Sequence, residues 1–241
     1  EGSVTVAIDR KPITNSVTIS GTAAVGETLT AVSTDGETVS YAWYRGNEAI
    51  DGANDKTYKL TADDVGKAIK VTINGTVNYT GSVTSDPTEA VVKATPEITT
   101  LPTASAITYG QSLSASTLTD GQGSVAGTFS WTDGTIQPAV SDSDSTEYIV
   151  TFTPTDTDSY NIVTGKVKLK VNKGILTPTV ASVEKKTYNG TTSATGTISL
   201  SGAVNNENPA ATGTFAFEDA SVGENKAVTV TGITLSENWG D

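Results

Sequence analysis

The 241-residue chain contains no histidine, no cysteine and no methionine. Without histidine or cysteine there is no Ser-His-Asp or Cys-His nucleophile system, no thiol redox chemistry, and no ordinary zinc, copper, haem or iron–sulfur ligand set. Charged residues are scarce, at 17%, and aromatic residues supply only 6%. No apolar run approaches the roughly 20 residues that a membrane-crossing helix requires. What the chain has in plenty is threonine and serine, together about a quarter of all residues, well above ordinary usage.

Basic residues are outnumbered throughout. The net charge of −12 divides as −4, −5 and −3 over residues 12–94, 95–172 and 173–241, while residues 1–11 are neutral. Every segment would repel a polyanion and no basic stripe opposes that, so neither nucleic acid nor a membrane surface is expected as a partner. The opening Glu1-Gly2-Ser3 has no initiator Met and no charged-then-apolar leader. It reads as an excised piece of something longer.

Self-similarity sets the organisation. A Lys followed shortly by Pro recurs at Lys11-Pro12, Lys93 to Pro96 and Lys173 to Pro178, with the prolines 84 and 82 residues apart. An aromatic residue in a polar turn recurs at Asn78-Tyr79, Tyr160-Asn161 and Asn238-Trp239, at intervals of 81 and 79 residues. Two independent markers with one period predict three units of the size of a small β-sandwich. Their bounds are 12–94, 95–172 and 173–241, preceded by a stray N-terminal strand in residues 1–11.

Within the units, apolar and polar residues alternate with period two, as in Lys67–Ile73 (KAIKVTI), Glu147–Phe152 (EYIVTF) and Gly165–Val171 (GKVKLKV). Such strings form strands with one buried and one solvated face, and Gly, Asn and Asp punctuate them every 8–12 residues as turns require. The expected class is all-β: three tandem immunoglobulin-like sandwiches arranged as an elongated rod.

The ends of the repeat are offset. In the first two units the aromatic turn leads into a Gly and a final strand, at Gly81-Ser82-Val83 and Gly165-Lys166-Val167. The third unit is expected to lack that strand, whereas Gly2–Ile8 (GSVTVAI) resembles one with no unit before it. Two readings are open. Residues 1–10 add to the first unit, or they fill the vacant edge of the third unit in another molecule.

Leu29, Trp43 and Val71 stand where an immunoglobulin domain places its first core Cys, its core Trp and its second core Cys, with 14 residues from Leu29 to Trp43. Asp64–Val71 (DVGKAIKV) resembles the Asp-x-Gly-x-Tyr-x-Cys corner of such domains, with Ile69 in place of the Tyr. Together with Val39–Gly46 (VSYAWYRG), Ile50-Asp51-Gly52 and Thr57-Tyr58, this stretch is similar to the bacterial immunoglobulin-like repeats of large cell-surface proteins. Ile107–Leu113 (ITYGQSL), Gly127–Trp131 and Val150–Asp158 (VTFTPTDTD) resemble a second kind of repeat from such proteins. Lys186–Thr192 (KTYNGTT) resembles the Tyr-Asp-Gly opening of the YDG repeat family, with Asn189 in place of the Asp. The family's closing Asn-Tyr corresponds to Asn238-Trp239. These resemblances imply a sandwich fold, an extracellular setting at the bacterial surface or in secretion, and no assigned chemistry.

Three acidic clusters could chelate calcium: Asp142-Ser143-Asp144, Asp156-Thr157-Asp158 and Asp63-Asp64. None has the Gly and bidentate Glu of a calcium loop, so they read as solvated turn carboxylates. Paired carboxylates could hydrolyse glycosides, but that chemistry needs an aromatic-lined cleft. A Lys–Asn isopeptide crosslink needs a buried Lys, Asn and acid together, which sequence does not reveal. No catalytic, cofactor-binding or metal site is therefore expected. The expected role is a non-catalytic spacer whose partners are the neighbouring repeats of the parent protein. The alternative is an adhesin segment that contacts host glycan or a surface protein through exposed loops. For that role Tyr44 and Trp239 are candidate outward rings, and Tyr41, sharing Trp43's parity, is expected to point inward.

Overall fold

A computed structural model describes residues 2–34 and 39–235. The described residues form strands joined by turns and three one-turn 3-10 helices, so the protein is all-β. No described helix is long and apolar enough to cross a membrane. The chain separates into two compact units. One comprises residues 1–99, 122–128 and 152–163; the other comprises 100–121, 129–151 and 164–241. The division runs through residues 95–172.

In the first unit the strands are β1 (Lys11–Pro12), β2 (Val17–Ser20), β3 (Thr28–Ser33), β4 (Val39–Arg45), β5 (Glu48–Ala49), β6 (Thr57–Lys59), β7 (Ile69–Gly75), β8 (Tyr79–Thr80) and β9 (Ser82–Thr84). Seven of them build two antiparallel sheets, ordered β2-β3-β6 and β5-β4-β7-β9, the two-sheet strand order of an immunoglobulin-like sandwich, while β1 and β8 pair with each other. Period-two patterning decides which face is buried. Ile69, Val71 and Ile73 are fully buried on β7, and they face Leu29 and Ala31 of β3 and Trp43 of β4 in one cluster. Leu29, Trp43 and Val71 thus meet as their spacing predicts, with Trp43 directly opposite Val71 in the sheet. Tight reversal from β4 into β5 falls to Gly46, which takes a φ of +61° at no steric cost.

Residues 2–10 carry no strand, and they do not join either sheet of this unit. Pairing begins at β1, which runs parallel to β8 with Lys11 opposite Tyr79. The Lys11 ammonium lies 5.9 Å from the centre of the Tyr79 ring.

In the second unit Ile107, Leu113, Tyr148, Leu169 and Val171 form a buried cluster with Trp131 packed against it. Ile107–Thr108 runs parallel to Val171–Asn172. Farther along, Thr177–Val183 pairs with Gly196–Ser201, and Ala211–Phe217 pairs with Ser193–Ala194 on one edge and Val228–Leu235 on the other. This last part of the chain has a thin core. Phe215 is its one buried apolar residue among those described, and Thr177–Val183 is exposed along its length. Gly196 lets the strands close over Phe215, since a Cβ there would lie 2.6 Å from the ring.

Candidate functional site

The acidic clusters have different fates, and the difference begins in local backbone geometry. Ala62–Asp64 form a single 3-10 turn. At its end the Asp64 carboxylate folds back and accepts hydrogen bonds from the Thr61 amide at 2.8 Å and the Thr61 hydroxyl at 3.1 Å. This satisfies a donor that the turn itself leaves unpaired. Tyr58 donates its hydroxyl to the same carboxylate at 2.9 Å, and Arg45 donates its Nε–H at 2.8 Å. Asp64 is completely buried, so it is not the solvated turn carboxylate that the sequence suggested. A buried carboxylate must be met by donors, and four converge on this one. Asp63, beside it, is exposed and fits the original expectation.

Charge at Asp64 is felt by its partners. The hydrogen bond to Asp64 raises the Arg45 pKa further above its ordinary value. Burial, then the bond to Asp64, pushes the Tyr58 phenol above its usual range. Tyr58 also stacks obliquely on Trp43, with ring centroids 5.8 Å apart, and Trp43 donates its indole N–H to the Asp55 carbonyl at 2.9 Å. The polar knot and the apolar core are thereby one structure.

A related device recurs in the second unit. The 3-10 turn Val140–Asp142 ends in a carboxylate that accepts from the Ala139 amide at 3.0 Å, the Thr146 hydroxyl at 3.0 Å and the Tyr148 hydroxyl at 3.2 Å. These bonds, the Ala139 amide foremost, hold Asp142 below the usual carboxylate range. Burial and the nearby Asp142 charge push Tyr148 up to about 12. A phenol whose folded value exceeds its unfolded value of about 10 keeps its proton longer when folded. Its contribution to stability is therefore complete below pH 10 and is lost as pH climbs toward 12. Alkaline unfolding of this unit is expected to begin in that window, and Tyr148→Phe should shift the onset upward when followed by Trp131 fluorescence.

Two further carboxylates hold their own turns. Asp156 accepts the amides of Asp158 at 3.1 Å and Ser159 at 3.0 Å, and Asp133 accepts the Thr135 amide at 2.9 Å. Each thus commits an oxygen to its own backbone, and an isolated turn carboxylate offers calcium too few hard oxygens for a firm site. Millimolar calcium is expected to leave the melting temperature unchanged in differential scanning calorimetry. Among the described residues no group of three or more acidic side chains is placed to share a metal ion.

One open concavity lies in the second unit, lined by residues 183–191 and 217–228 around Tyr188 and Val222. Its polar groups are engaged locally. Lys186 donates to the Thr191 and Ser193 carbonyls, each at 2.8 Å, while Asn189 caps the Thr191 amide at 3.1 Å. Lys226 bonds Asp219 and donates to the Ser221 carbonyl at 3.1 Å. That contact with Lys226, with the Ser221 bonds, holds Asp219 well below the ordinary carboxylate range. The concavity's exposed apolar surface comes from Tyr188, 68% exposed, and Val222, 83% exposed, beside the exposed Lys185 and Glu224. Such a concavity can offer an apolar ring and polar backbone for contact.

Of the aromatic residues weighed from sequence, Tyr41 packs against the core as parity predicts. Tyr44 is half-buried instead of open. It sits opposite Lys70 on β7 and Ala49 on β5, close enough for those side chains to shield its outer face. Asn238 and Trp239 lie outside the described residues. Among the described residues Tyr188 is an exposed ring that was not weighed as one from sequence, although its Tyr-Asn-Gly motif carries the resemblance to the YDG family.

The two-sheet arrangement of β1–β9 belongs to the immunoglobulin-like class. Residues 172–240 match the family model of the YDG domain, as the Lys186–Thr192 motif implied. Among solved structures, the chain is similar to the three N-terminal domains of the highly immunogenic outer capsid protein (Hoc) of bacteriophage RB49. That likeness has 15% identity over 92% of this chain and 80% of that one, with a TM-score of 0.34. It is also similar to extracellular domains 3–5 of Drosophila OTK, at 12% identity over 90% and 78% of the respective chains, with a TM-score of 0.22. No curated protein matches it.

Proposed function

We propose that this chain is a non-catalytic spacer segment of a larger bacterial cell-surface or secreted protein, with neighbouring repeats of that protein as its partners. The observation that supports this reading is how firmly the segments between strand systems are held. In the first unit Ala94 donates to the Ser159 carbonyl at 2.9 Å and accepts from the Asn161 amide at 2.8 Å. Lys93 donates to the Thr157 carbonyl at 2.6 Å, and the Asn161 side chain donates to Thr95 at 3.0 Å. In the second unit Tyr109 bonds Glu207, and Gly110, with φ at +89°, lies where any Cβ would come within 2.6 Å of Val204. Hydrogen bonds across a connection restrict its bending as short Pro-containing junctions do. The acidic, Thr- and Ser-rich exterior suits an extended life in water.

The experiment replaces this segment within the parent protein by unrelated sandwich repeats of equal length. A spacer tolerates the exchange, and the parent's surface activity persists; loss of activity would count against the reading. The adhesin alternative has one observation in its favour, the exposed Tyr188 and Val222. A glycan array and a pull-down on host surface proteins, each with Tyr188→Ala as control, decide it. Binding that disappears in the variant would install the alternative.

A further inference from the structure

Residues 2–8 (GSVTVAI) lie in no strand, and Val4, Val6 and Ile8 are 87%, 80% and 94% exposed. The same pattern is seated elsewhere in this chain. Gly2-Ser3-Val4-Thr5 repeats Gly81-Ser82-Val83-Thr84 residue for residue. There Ser82–Thr84 is β9, antiparallel along the outer edge of β7 with Val83 opposite Ile73. Aligning Gly2 with Gly165 sets Val4, Val6 and Ile8 at the places of Val167, Leu169 and Val171, which are 7%, 2% and 3% exposed. One alternating strand pattern therefore occurs three times, twice packed and once open to water.

A matching seat exists. Val228–Leu235 is hydrogen-bonded along one edge to Ala211–Phe217, and among the described residues no strand pairs with its other edge. It follows its antiparallel partner and precedes an Asn-aromatic pair, as β7 follows β4 and precedes Asn78-Tyr79. Ile233 and Leu235 are 43% and 45% exposed there. Open strand edges with apolar flanks are templates for pairing with another chain.

We propose that residues 2–8 of one molecule pair antiparallel with the open edge of Val228–Leu235 in a second copy of this chain, as β9 pairs with β7. Seven extended residues span about 23 Å, which matches the eight-residue strand that receives them. Gly232, at φ +63°, bulges the receiving strand, so the ladder runs in two parts on either side of it. An added strand buries on the order of 1,000 Å² and a reciprocal exchange about twice that, which is the range of stable interfaces. Donor and seat are different surfaces, so copies join head to tail and either close as a pair or extend as a series.

Sedimentation velocity on the full chain, from low micromolar to near-millimolar concentration, tests this. The mass should rise with concentration. Val6→Lys, which places a charge on the inward face of the added strand, should weaken association about tenfold or more. Thr5→Lys, on the outward face, should leave it unchanged. Because the donor segment lies outside both sheets, neither variant disturbs folding, and circular dichroism verifies that. Amides of residues 228–235 should gain hydrogen-exchange protection at high concentration in the wild type but not in Val6→Lys. A chain that stays monomeric throughout overturns the proposal. So does association that is indifferent to Val6→Lys, which would place the contact at another surface such as the Tyr188 concavity.

Discussion

Trp43→Ala should remove about 3–5 kcal/mol from the first unit, the cost of emptying a large fully buried aromatic site that its surroundings only partly refill. Trp43 is 0% exposed and lies between Leu29 and Val71, so each wall of the resulting cavity is a side chain already held by its own strand. A unit of this size has a total stability of about 5–15 kcal/mol, so the variant would stand close to unfolding at ambient temperature. Urea titration should then separate two transitions. An early one belongs to the first unit, and a later one, reported by Trp131, belongs to the second. Trp43→Phe should cost much less, chiefly the indole bond to the Asp55 carbonyl. A Trp43→Ala chain that unfolds in a single unchanged transition would show that the core does not depend on this ring.

The second large effect is expected at Asp64. Asp64→Ala strips an acceptor from the Thr61 amide, the Tyr58 hydroxyl and Arg45 at once, inside a site closed to water. Leaving buried donors without acceptors costs more than the net worth of the bonds themselves, and about 2–4 kcal/mol is expected. Asp64→Asn preserves shape and one carbonyl acceptor, so it should fall between wild type and Ala. Arg45→Ala should cost less than Asp64→Ala, because Tyr58 and Thr61 still donate to the carboxylate and the guanidinium, 26% exposed, is partly screened by solvent. A double-mutant cycle with Tyr58→Phe separates the two contributions, and additive losses would mean that Tyr58 and Asp64 act independently. Asp64→Ala costing more than Arg45→Ala distinguishes a carboxylate that organises the turn from one that merely answers the guanidinium.

These two residues mark what could be read from sequence. Leu29, Trp43 and Val71 were legible through their resemblance to the core positions of immunoglobulin domains, including the 14-residue interval from Leu29 to Trp43. The YDG match over residues 172–240 was legible because the short Tyr188-Asn189-Gly190 motif carries it. Asp64 was not. It was grouped with its neighbour Asp63 as a turn carboxylate, and although the corner resemblance begins at Asp64 alone, that motif does not name the donors that meet it. Only folding brings Arg45, 19 residues away, and Tyr58 to one of the pair and leaves the other in water. Tyr44 shows the same limit. Parity assigned its face correctly, but the side chains across the sheet determine how open that face remains. Parallel pairing of Lys11 with Tyr79 joins residues too distant in sequence for any local pattern to reveal.

That parallel pairing, and its counterpart between Ile107–Thr108 and Val171–Asn172, bears on how the chain would answer a mechanical load. The Ile107 amide donates to the Lys170 carbonyl at 3.0 Å, and the Tyr109 amide donates to the Asn172 carbonyl at 2.9 Å. The Val92 amide likewise donates to the Ala23 carbonyl at 2.9 Å, and the Val25 amide to the Val92 carbonyl at 3.0 Å. When tension enters at the earlier strand and leaves at the later one, such strands are drawn past each other lengthwise. Their bonds then resist shear together, whereas a hairpin pulled from its open end unzips one rung at a time. Under such a load each pair is expected to yield as a unit, and pulling single molecules from their two ends would read that as one discrete lengthening step per pair.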